Sequence, residues 1–499
     1  MTAFLDARTL PSATVLEPDI AIIGGGPAGI SLALALADTK LNILLLESGG
    51  ENFDPANQKM YGGTRSGLSY IALDAGRLRF LGGSTNHWGG WCRPLDEIDF
   101  EARDGLPHTG WPFPKSALTP YYHRAQALVE AGPWLYDKAG TSMTAQGPLL
   151  PLGKGGVYTS WFQFSKTRDS ELPTYFGHRY QSELKRAAKV MPLLHVNITG
   201  IRLSADGRQV DHLDAATLSG KKFTVKPRLT VLAAGGMENA RLLLASNDVM
   251  KSGIGNQNDL VGRFFADNPI PRDVATLVSF AGPLSPYYGA NLALAANGPI
   301  LKATFSPSDS FRRAKQLSGS LTTVEQPVEL DDAGKAAVVT TAIALGVDAS
   351  DAKAYSLGCG MELRPDPERR LILTNEKDAL GLPRLNLAMR MADDDFRLYH
   401  ATLRELGRQL LAAKAGMIRI VPHEQWSKNM DWGNHHLGTT RMHADPKKGV
   451  VNGDGQVHGI ANLYVAGSSL FPTYGSSNPT LNLIALTLRL ADHLKKVTA

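Results

Sequence analysis

The chain has 499 residues, too many for one hydrophobic core, and its 43% apolar composition is enough to fill two. Its 52 Lys and Arg against 47 Asp and Glu leave a net charge of +5 that is not gathered into long runs, which argues against a nucleic-acid or membrane-surface partner. Cys92 and Cys359 are the only cysteines, too few for an iron–sulfur cluster, a Cys-rich zinc site or a disulfide framework, so a reducing compartment suits the chain. Met1 to Pro18 lack a basic stretch followed by an apolar one, and no apolar run reaches bilayer length without Gly, Pro or charge. A cytoplasmic location is expected, unless a separate partner carries an export signal.

In chain order, the first element is the apolar strand Asp19 to Ile23, which runs into Gly24-Gly25-Gly26-Pro27-Ala28-Gly29 and a helix over Ile30 to Ala37. Gly24 permits the tight turn, Gly26 lets backbone approach a pyrophosphate, and Gly29 lets the helix pack closely on its strand. A second strand, Asn42 to Leu46, ends at Glu47, eighteen residues after Gly29, close to the spacing at which a carboxylate meets ribose hydroxyls. Strand, helix, strand and acid in register predict dinucleotide binding. Farther on, Leu193 to Ile201 is predicted as a strand. Hairpin signals follow at Asp206-Gly207 and Ser219-Gly220-Lys221, and Leu229 to Ala233 then runs into Gly235-Gly236 and a helix from Glu238 to Ser246. A third nucleotide-type strand is Asn462 to Ala466, ending in Gly467. The nucleotide domain is therefore expected to be discontinuous, from residues 1–110, 191–265 and 441–499. Residues 111–190 and 266–440 form the substrate side, including strands Arg370 to Thr374 and Arg384 to Met389 around the turn-rich Asp378 to Pro383.

Two C-terminal features carry chemistry. Gly433-Asn434-His435-His436 offers an imidazole as proton acceptor. Asn478-Pro479-Thr480 precedes a helix whose stripe is Leu481, Ile484, Ala485 and Leu488, so Asn478 also has the form of an N-cap ahead of a proline at the first helical position. Helix N–H groups there would face a site where negative charge accumulates. In an extended segment the side chain of His436 projects away from that of His435 and serves as a supporting polar residue. A metal shared by His435, His436 and His443 is disfavoured, since neighbouring histidines rarely share one ion and no acidic helical motif accompanies them. Trp88, Trp91 and Trp111 are expected in the core rather than against substrate.

Five segments in order, namely the opening fingerprint, Gly82-Gly83-Ser84-Thr85-Asn86-His87-Trp88, Glu362 to Leu387 with Arg364-Pro365-Asp366-Pro367 and Gly381-Leu382-Pro383-Arg384, His435 to Met442, and Asn462 to Thr480, resemble the glucose–methanol–choline (GMC) oxidoreductases. The likeness spans nearly the whole chain and is greater to bacterial sugar dehydrogenases and pyranose oxidases than to choline or aryl-alcohol oxidases. It implies an α/β fold: a Rossmann-like FAD-binding domain of the p-hydroxybenzoate hydroxylase type with an α+β substrate domain built on an antiparallel sheet. The implied FAD contacts are Gly24, Gly26, Gly29, Glu47, Gly82, Gly83, Ser84, Asn86, His87, Val196, Ala234, Gly467, Pro479 and Thr480. His435, three residues before Gly438, matches the family's catalytic base, and Asn478 matches the residue that hydrogen-bonds substrate oxygen. One departure is Gly235-Gly236-Met237-Glu238-Asn239, where the second family signature has Gly and a Ser-Pro pair.

The resemblance implies oxidation of a hydroxyl of a sugar, glycoside or related polyol: His435 takes the hydroxyl proton while the carbon hydride goes to flavin N5. Oxygen or another acceptor then takes the electrons. His87, just before Trp88, occupies the place at which pyranose oxidases link histidine to the flavin 8α-methyl, and covalent attachment and simple packing both remain open. Two alternatives are a flavin-containing non-redox lyase with His435 as acid and base, and the large subunit of a membrane-associated dehydrogenase complex with a small subunit and a cytochrome.

Overall fold

Strands Ile20–Ile23 and Ile43–Leu46 are buried at every position, as a parallel sheet covered on both faces requires. In the computed structural model, which describes residues 4–136, 147–166, 173–293 and 298–499, they lie at the centre of a six-stranded parallel sheet. Its order is Leu5–Asp6, Val190–Leu194, Ile43–Leu46, Ile20–Ile23, Leu229–Leu232, Leu463–Val465, so distant parts of the chain complete one nucleotide sheet. Helix Pro27–Leu36 starts on a proline at its first position, as the missing N–H there costs nothing. It packs on the C-terminal helix Pro479–Val497, which in turn packs on Thr119–Leu128.

A larger antiparallel sheet has the order Gly416–Ile420, Ala275–Ser279, Lys353–Met361, Ser320–Pro327, Ile300–Pro307, Val157–Phe164, Trp91–Cys92, with Leu292–Ala293 paired to the fifth strand. Period-two alternation sets its faces. Leu301, Ala303 and Phe305 are fully buried and share a core with Tyr399, Leu403, Leu406 and Leu410 of helix Asp393–Ala412. The opposite face looks toward the nucleotide sheet.

Several expectations need correction. The strand predicted over Leu193 to Ile201 is two strands in two sheets, Val190–Leu194 and Asn197–Leu203, broken at His195, whose φ of 61° is left-handed. The His195 N–H donates to the Gly49 carbonyl and that of Val196 to the Glu47 carbonyl, so the chain wraps the end of the neighbouring strand. The hairpin Arg370–Lys377 and Pro383–Met389, expected on the substrate side, pairs instead with Gly63–Gly67, and its Leu371, Leu385, Leu387 and Met389 join the nucleotide-side core. Helix Thr119–Leu128, from the same expected domain, also belongs to that core through Tyr122 and Ala125. Conversely, Trp91–Cys92 from the first segment forms an edge of the large sheet. Burial pattern, not sequence neighbourhood, decides these memberships.

A buried charge cluster ties the two bodies. Arg312, 1% exposed, holds Asp99 at 2.7 Å and lies 3.6 Å from Glu362, which closes the central strand Lys353–Met361. The Glu362 carboxylate accepts from the backbone N–H groups of Tyr474 at 2.8 Å, Gly475 at 2.9 Å and Gly319 at 2.6 Å. Substituting Arg312→Met strands two buried carboxylates, so unfolding in urea is expected to show a loss of about 3–5 kcal/mol. A loss below about 1 kcal/mol, the range of surface pairs, would show that the cluster does not bind the bodies together.

Candidate active site

A cavity of about 930 Å³ opens beyond the carboxyl ends of the nucleotide strands and reaches the large sheet. Its near end is lined by Gly24, Gly26, Glu47, Val196, Ala234 and Gly467, and its middle by Gly83, Ser84 and His87. The inner wall carries His435, His436, Asn478, Pro479 and Thr480. Three expected contact residues lie off this lining. Gly29 packs against the Gly24 carbonyl, where any Cβ would collide; Gly82 sits in the left-handed region at φ 96°; and the Asn86 amide donates to the Leu81 carbonyl at 3.0 Å. These three shape the loops that bear the lining residues.

His435 is held by a set of contacts with a clear sense. Its Nδ1 lies 2.7 Å from Asn268 Oδ1, and the Asn268 amide nitrogen donates to the Met361 carbonyl at 3.0 Å, which fixes the amide's orientation. Nδ1 therefore carries the proton, and Nε2 faces the cavity as an acceptor, 3.3 Å from Asn478 Nδ2. The backbone is fixed as well: the N–H groups of His435 and Asn268 each donate to Asp267 Oδ1 at 2.7 Å, and the Tyr70 hydroxyl donates to Oδ2. Burial pushes the Asp267 carboxyl up to about 7 despite these donors, and pushes His435 down to about 4 and His436 down to about 3. Both imidazoles are thus neutral near pH 7.

His436, expected to project away from His435, lines the cavity together with it; Asn434, just before them, has a left-handed φ of 57°. His436 Nε2 is buried with no hydrogen-bond partner among the described residues. Asn478 does stand at the N-cap of Pro479–Val497, yet its side chain makes no capping bond. It is turned toward His435, while its carbonyl accepts from Asn482 Nδ2 at 3.0 Å. The first-turn N–H groups of that helix consequently have no side-chain cap.

Sequence reasoning missed Asn268, Asp267 and Tyr70, because only the fold brings residues 70, 267 and 435 together. It also missed Arg77 and Arg79, which line the cavity over the Tyr61 ring and pair with buried Glu238, held down to about 2 by its arginines against its own burial. Two of the tryptophans placed in the core line the cavity, Trp88 and Trp91; Trp111 is buried. No described group of three His, Cys, Asp or Glu side chains is arranged to hold a metal.

Comparison with known proteins finds similarity along the chain. Residues 365–487 match the family described as GMC oxidoreductase. The fructose dehydrogenase large subunit of Gluconobacter japonicus is 23% identical over 96% of this chain and 97% of its own. The 2-methyl-1,2-propanediol dehydrogenase of Mycolicibacterium austroafricanum is 22% identical over 96% of this chain and 95% of its own. A crystal structure of formate oxidase superposes with a TM-score of 0.63 at 15% identity, covering 98% of this chain and 99% of that one. Residues 365–487 thus carry the GMC oxidoreductase match, and the fold over the whole chain is that of the formate oxidase structure.

FAD is the cofactor that the match implies, and the residues fit the group. A Cβ at Gly26 would meet nothing within 4 Å, so the turn at the start of Pro27–Leu36 leaves its backbone open to the cavity, where a pyrophosphate meets a helix N-terminus. The Glu47 carboxylate is pinned by the N–H groups of Gly25 at 2.7 Å and Gly49 at 2.8 Å and still borders the cavity. The orphaned His436 Nε2 and the uncapped helix end offer polar partners to an oxidised ring system.

If His435 Nε2 is the base, its lowered pKa fixes the pH profile. Flavin reduction by substrate is expected to rise with pH through about 4, as the ring loses its proton. Asn268→Ala frees the tautomer and is expected to slow reduction by about tenfold, the worth of one hydrogen bond. Asn268→Asp keeps the acceptor and moves the limb upward, because a carboxylate favours imidazolium. An Asn268→Ala enzyme with the wild-type rate and limb would refute this positioning role.

Proposed function

We propose that this GMC oxidoreductase oxidises a hydroxyl of a sugar, glycoside or related polyol to the carbonyl, with His435 as general base. The observation that carries the proposal is the facing pair of an unprotonated imidazole nitrogen and an amide donor, His435 Nε2 and Asn478 Nδ2, 3.3 Å apart on one cavity wall. An alcohol oxygen between them donates its proton to Nε2 and accepts from Nδ2. That arrangement binds the hydroxyl and strengthens as the oxygen becomes negative. FAD, when bound, supplies the hydride acceptor. The cavity's width at the large sheet, with Trp88 and Trp91 at its side, suits a polyhydroxylated molecule, in keeping with relatives named for fructose and for a diol.

Anaerobic flavin bleaching by a panel of sugars and polyols tests the reading. His435→Ala is expected to slow bleaching by about 10² to 10⁴-fold with an intact flavin spectrum, the usual worth of a positioned base. Asn478→Ala removes a hydrogen bond worth about 1–3 kcal/mol. Inactivation by His436→Ala with His435→Ala fully active would move the base by one residue.

His87 has the features of a flavin attachment site. Its ring lines the cavity without a hydrogen-bond partner among the described residues, and burial lowers its pKa, leaving a free nitrogen lone pair. Acid denaturation and gel filtration are expected to leave yellow flavin on the polypeptide, and His87→Ala to release it. Free FAD from the wild-type chain would reduce His87 to a packing role. One relative's name, a large subunit, favours a second reading in which a partner chain carries the electrons away. Copurification of a small subunit or cytochrome from the native host tests that reading.

A further inference from the structure

The cavity face of the large sheet carries one buried cation that the proposed chemistry does not use. Lys302 lies on Ile300–Pro307, where alternation sends Leu301 and Ala303 into the core and Lys302 toward the cavity. It is 91% buried, being 9% exposed, and makes no hydrogen bond or ion pair among the described residues. Its ammonium rests 5.8 Å from the centroid of Trp91, whose ring is fixed edge-on against Phe162 and Phe164. The nearby ions are otherwise engaged. Glu325 accepts from Arg272 at 2.8 Å and lies over the bare backbone of Gly358, Arg272 also reaches Asp431 at 3.3 Å, and Asp273 accepts from the Ser356 hydroxyl. Leu321 and Thr323 on the neighbouring strand Ser320–Pro327, and Gly360 on the strand beyond it, line the same cavity.

A buried ammonium costs several kcal/mol of solvation unless an anion or a set of acceptors compensates it. The Trp91 face offsets only part of that cost. Burial accordingly lowers the Lys302 pKa, with Glu325 the one group opposing the shift. A neutral polyol would leave the charge uncompensated, whereas a monoanion would neutralise it. One lysine suits a carboxylate better than a phosphate dianion, because the neighbouring guanidinium is already committed to Glu325 and Asp431.

We propose that Lys302 determines specificity by holding a carboxylate of the substrate at the sheet end of the cavity while a hydroxyl of the same molecule meets His435 and Asn478. The substrate class is thus a polyhydroxy acid of the aldonate type, an assignment that rests on the alcohol-oxidation reading above. The oxidation leaves the carboxylate unchanged: one C–H and one O–H bond break, a C=O bond forms, and two electrons pass to FAD.

The test uses the FAD-loaded enzyme and aldonate–alditol pairs sharing a carbon skeleton, from glycerate against glycerol to gluconate against glucitol, with glucose 6-phosphate as a phosphate arm. Binding is read from perturbation of the flavin spectrum, and turnover from its anaerobic bleaching. At least one aldonate is expected to bind roughly ten- to a hundredfold more tightly than its alditol, the range for a hydrogen bond to a charged group. Lys302→Met is expected to bring that ratio to near one with unchanged flavin content, and Lys302→Arg to keep most of it. The wild-type ratio decides the matter even if a variant folds poorly. No preference for any aldonate, or a preference that survives Lys302→Met, overturns the proposal, and a Lys302-dependent preference for glucose 6-phosphate over every aldonate overturns the carboxylate assignment. Lys302-dependent aldonate binding with no bleaching by any pair member would support the anchor and overturn the alcohol-oxidation reading.

Discussion

The Asp267 carboxylate has no access to water, so it must be met by donors from the protein itself, and the way it is met sets the geometry of the catalytic wall. Tyr70 comes from the loop after the Gly63–Gly67 strand, Asn268 from the next residue, and His435 from a turn more than 160 residues away. Losing any of these donors leaves a buried acceptor short, which costs more than an ordinary hydrogen bond gains. The constraint propagates, because the Asp267 carbonyl accepts from the Tyr474 hydroxyl at 2.8 Å, and Tyr474 begins the run that ends at Asn478. His435 and Asn478 are thus registered against one buried acid. Glu362 then ties the same run to Arg312 and the large sheet.

This registration explains how a helix cap can be spared for chemistry. An Asn before a proline at a helix start normally satisfies the first free N–H groups, a contribution of about 1 kcal/mol. Here the backbone entry is already determined by contacts on either side. The Ser477 hydroxyl donates to the Pro94 carbonyl at 2.8 Å, and Asn482, fixed by Tyr122 and Leu95, holds the Asn478 carbonyl. With the turn secured elsewhere, the Asn478 amide can face His435, and the uncapped N–H groups keep their partial positive charge for the cavity.

The nucleotide half was legible because its signals are local. Ile20–Ile23, Gly24 to Gly29 and Glu47 are contiguous or nearly so, and strand-to-glycine turns mark Leu229–Leu232 and Leu463–Val465 as parts of the same sheet. The domain map was less legible. The hairpin at 370–389 reads like any antiparallel pair, and nothing in its alternation says that Gly63–Gly67 will be its third strand. Likewise, His436 could be set apart from His435 only on the assumption that adjacent side chains point opposite ways, yet both residues line the cavity. Asp267 and Asn268 gave no sequence signal, since an Asp-Asn-Pro triplet reads as a loop. Their role depends on partners supplied by tertiary structure.

The cavity's polar groups show where the fold gives up stability. Nearly every buried polar side chain along the base network is paired, as a low-dielectric interior demands. Three groups on the cavity are less well met: His436 Nε2 has no partner among the described residues, the Asn478 amide has only a long contact to His435, and Lys302 has the Trp91 face and the charge of Glu325 but no hydrogen bond among the described residues. Hydrophobic replacements at these positions would remove desolvation costs, so the sequence keeps groups that folding alone does not favour. Their placement is also ordered. A donor and a free lone pair stand together at Asn478 and His435, and the cation stands on the large sheet that lines the same cavity. A ligand that satisfies all three groups, as proposed above, carries both a hydroxyl and a negative charge. Such a ligand would recover on binding the free energy that the empty pairings cost on folding.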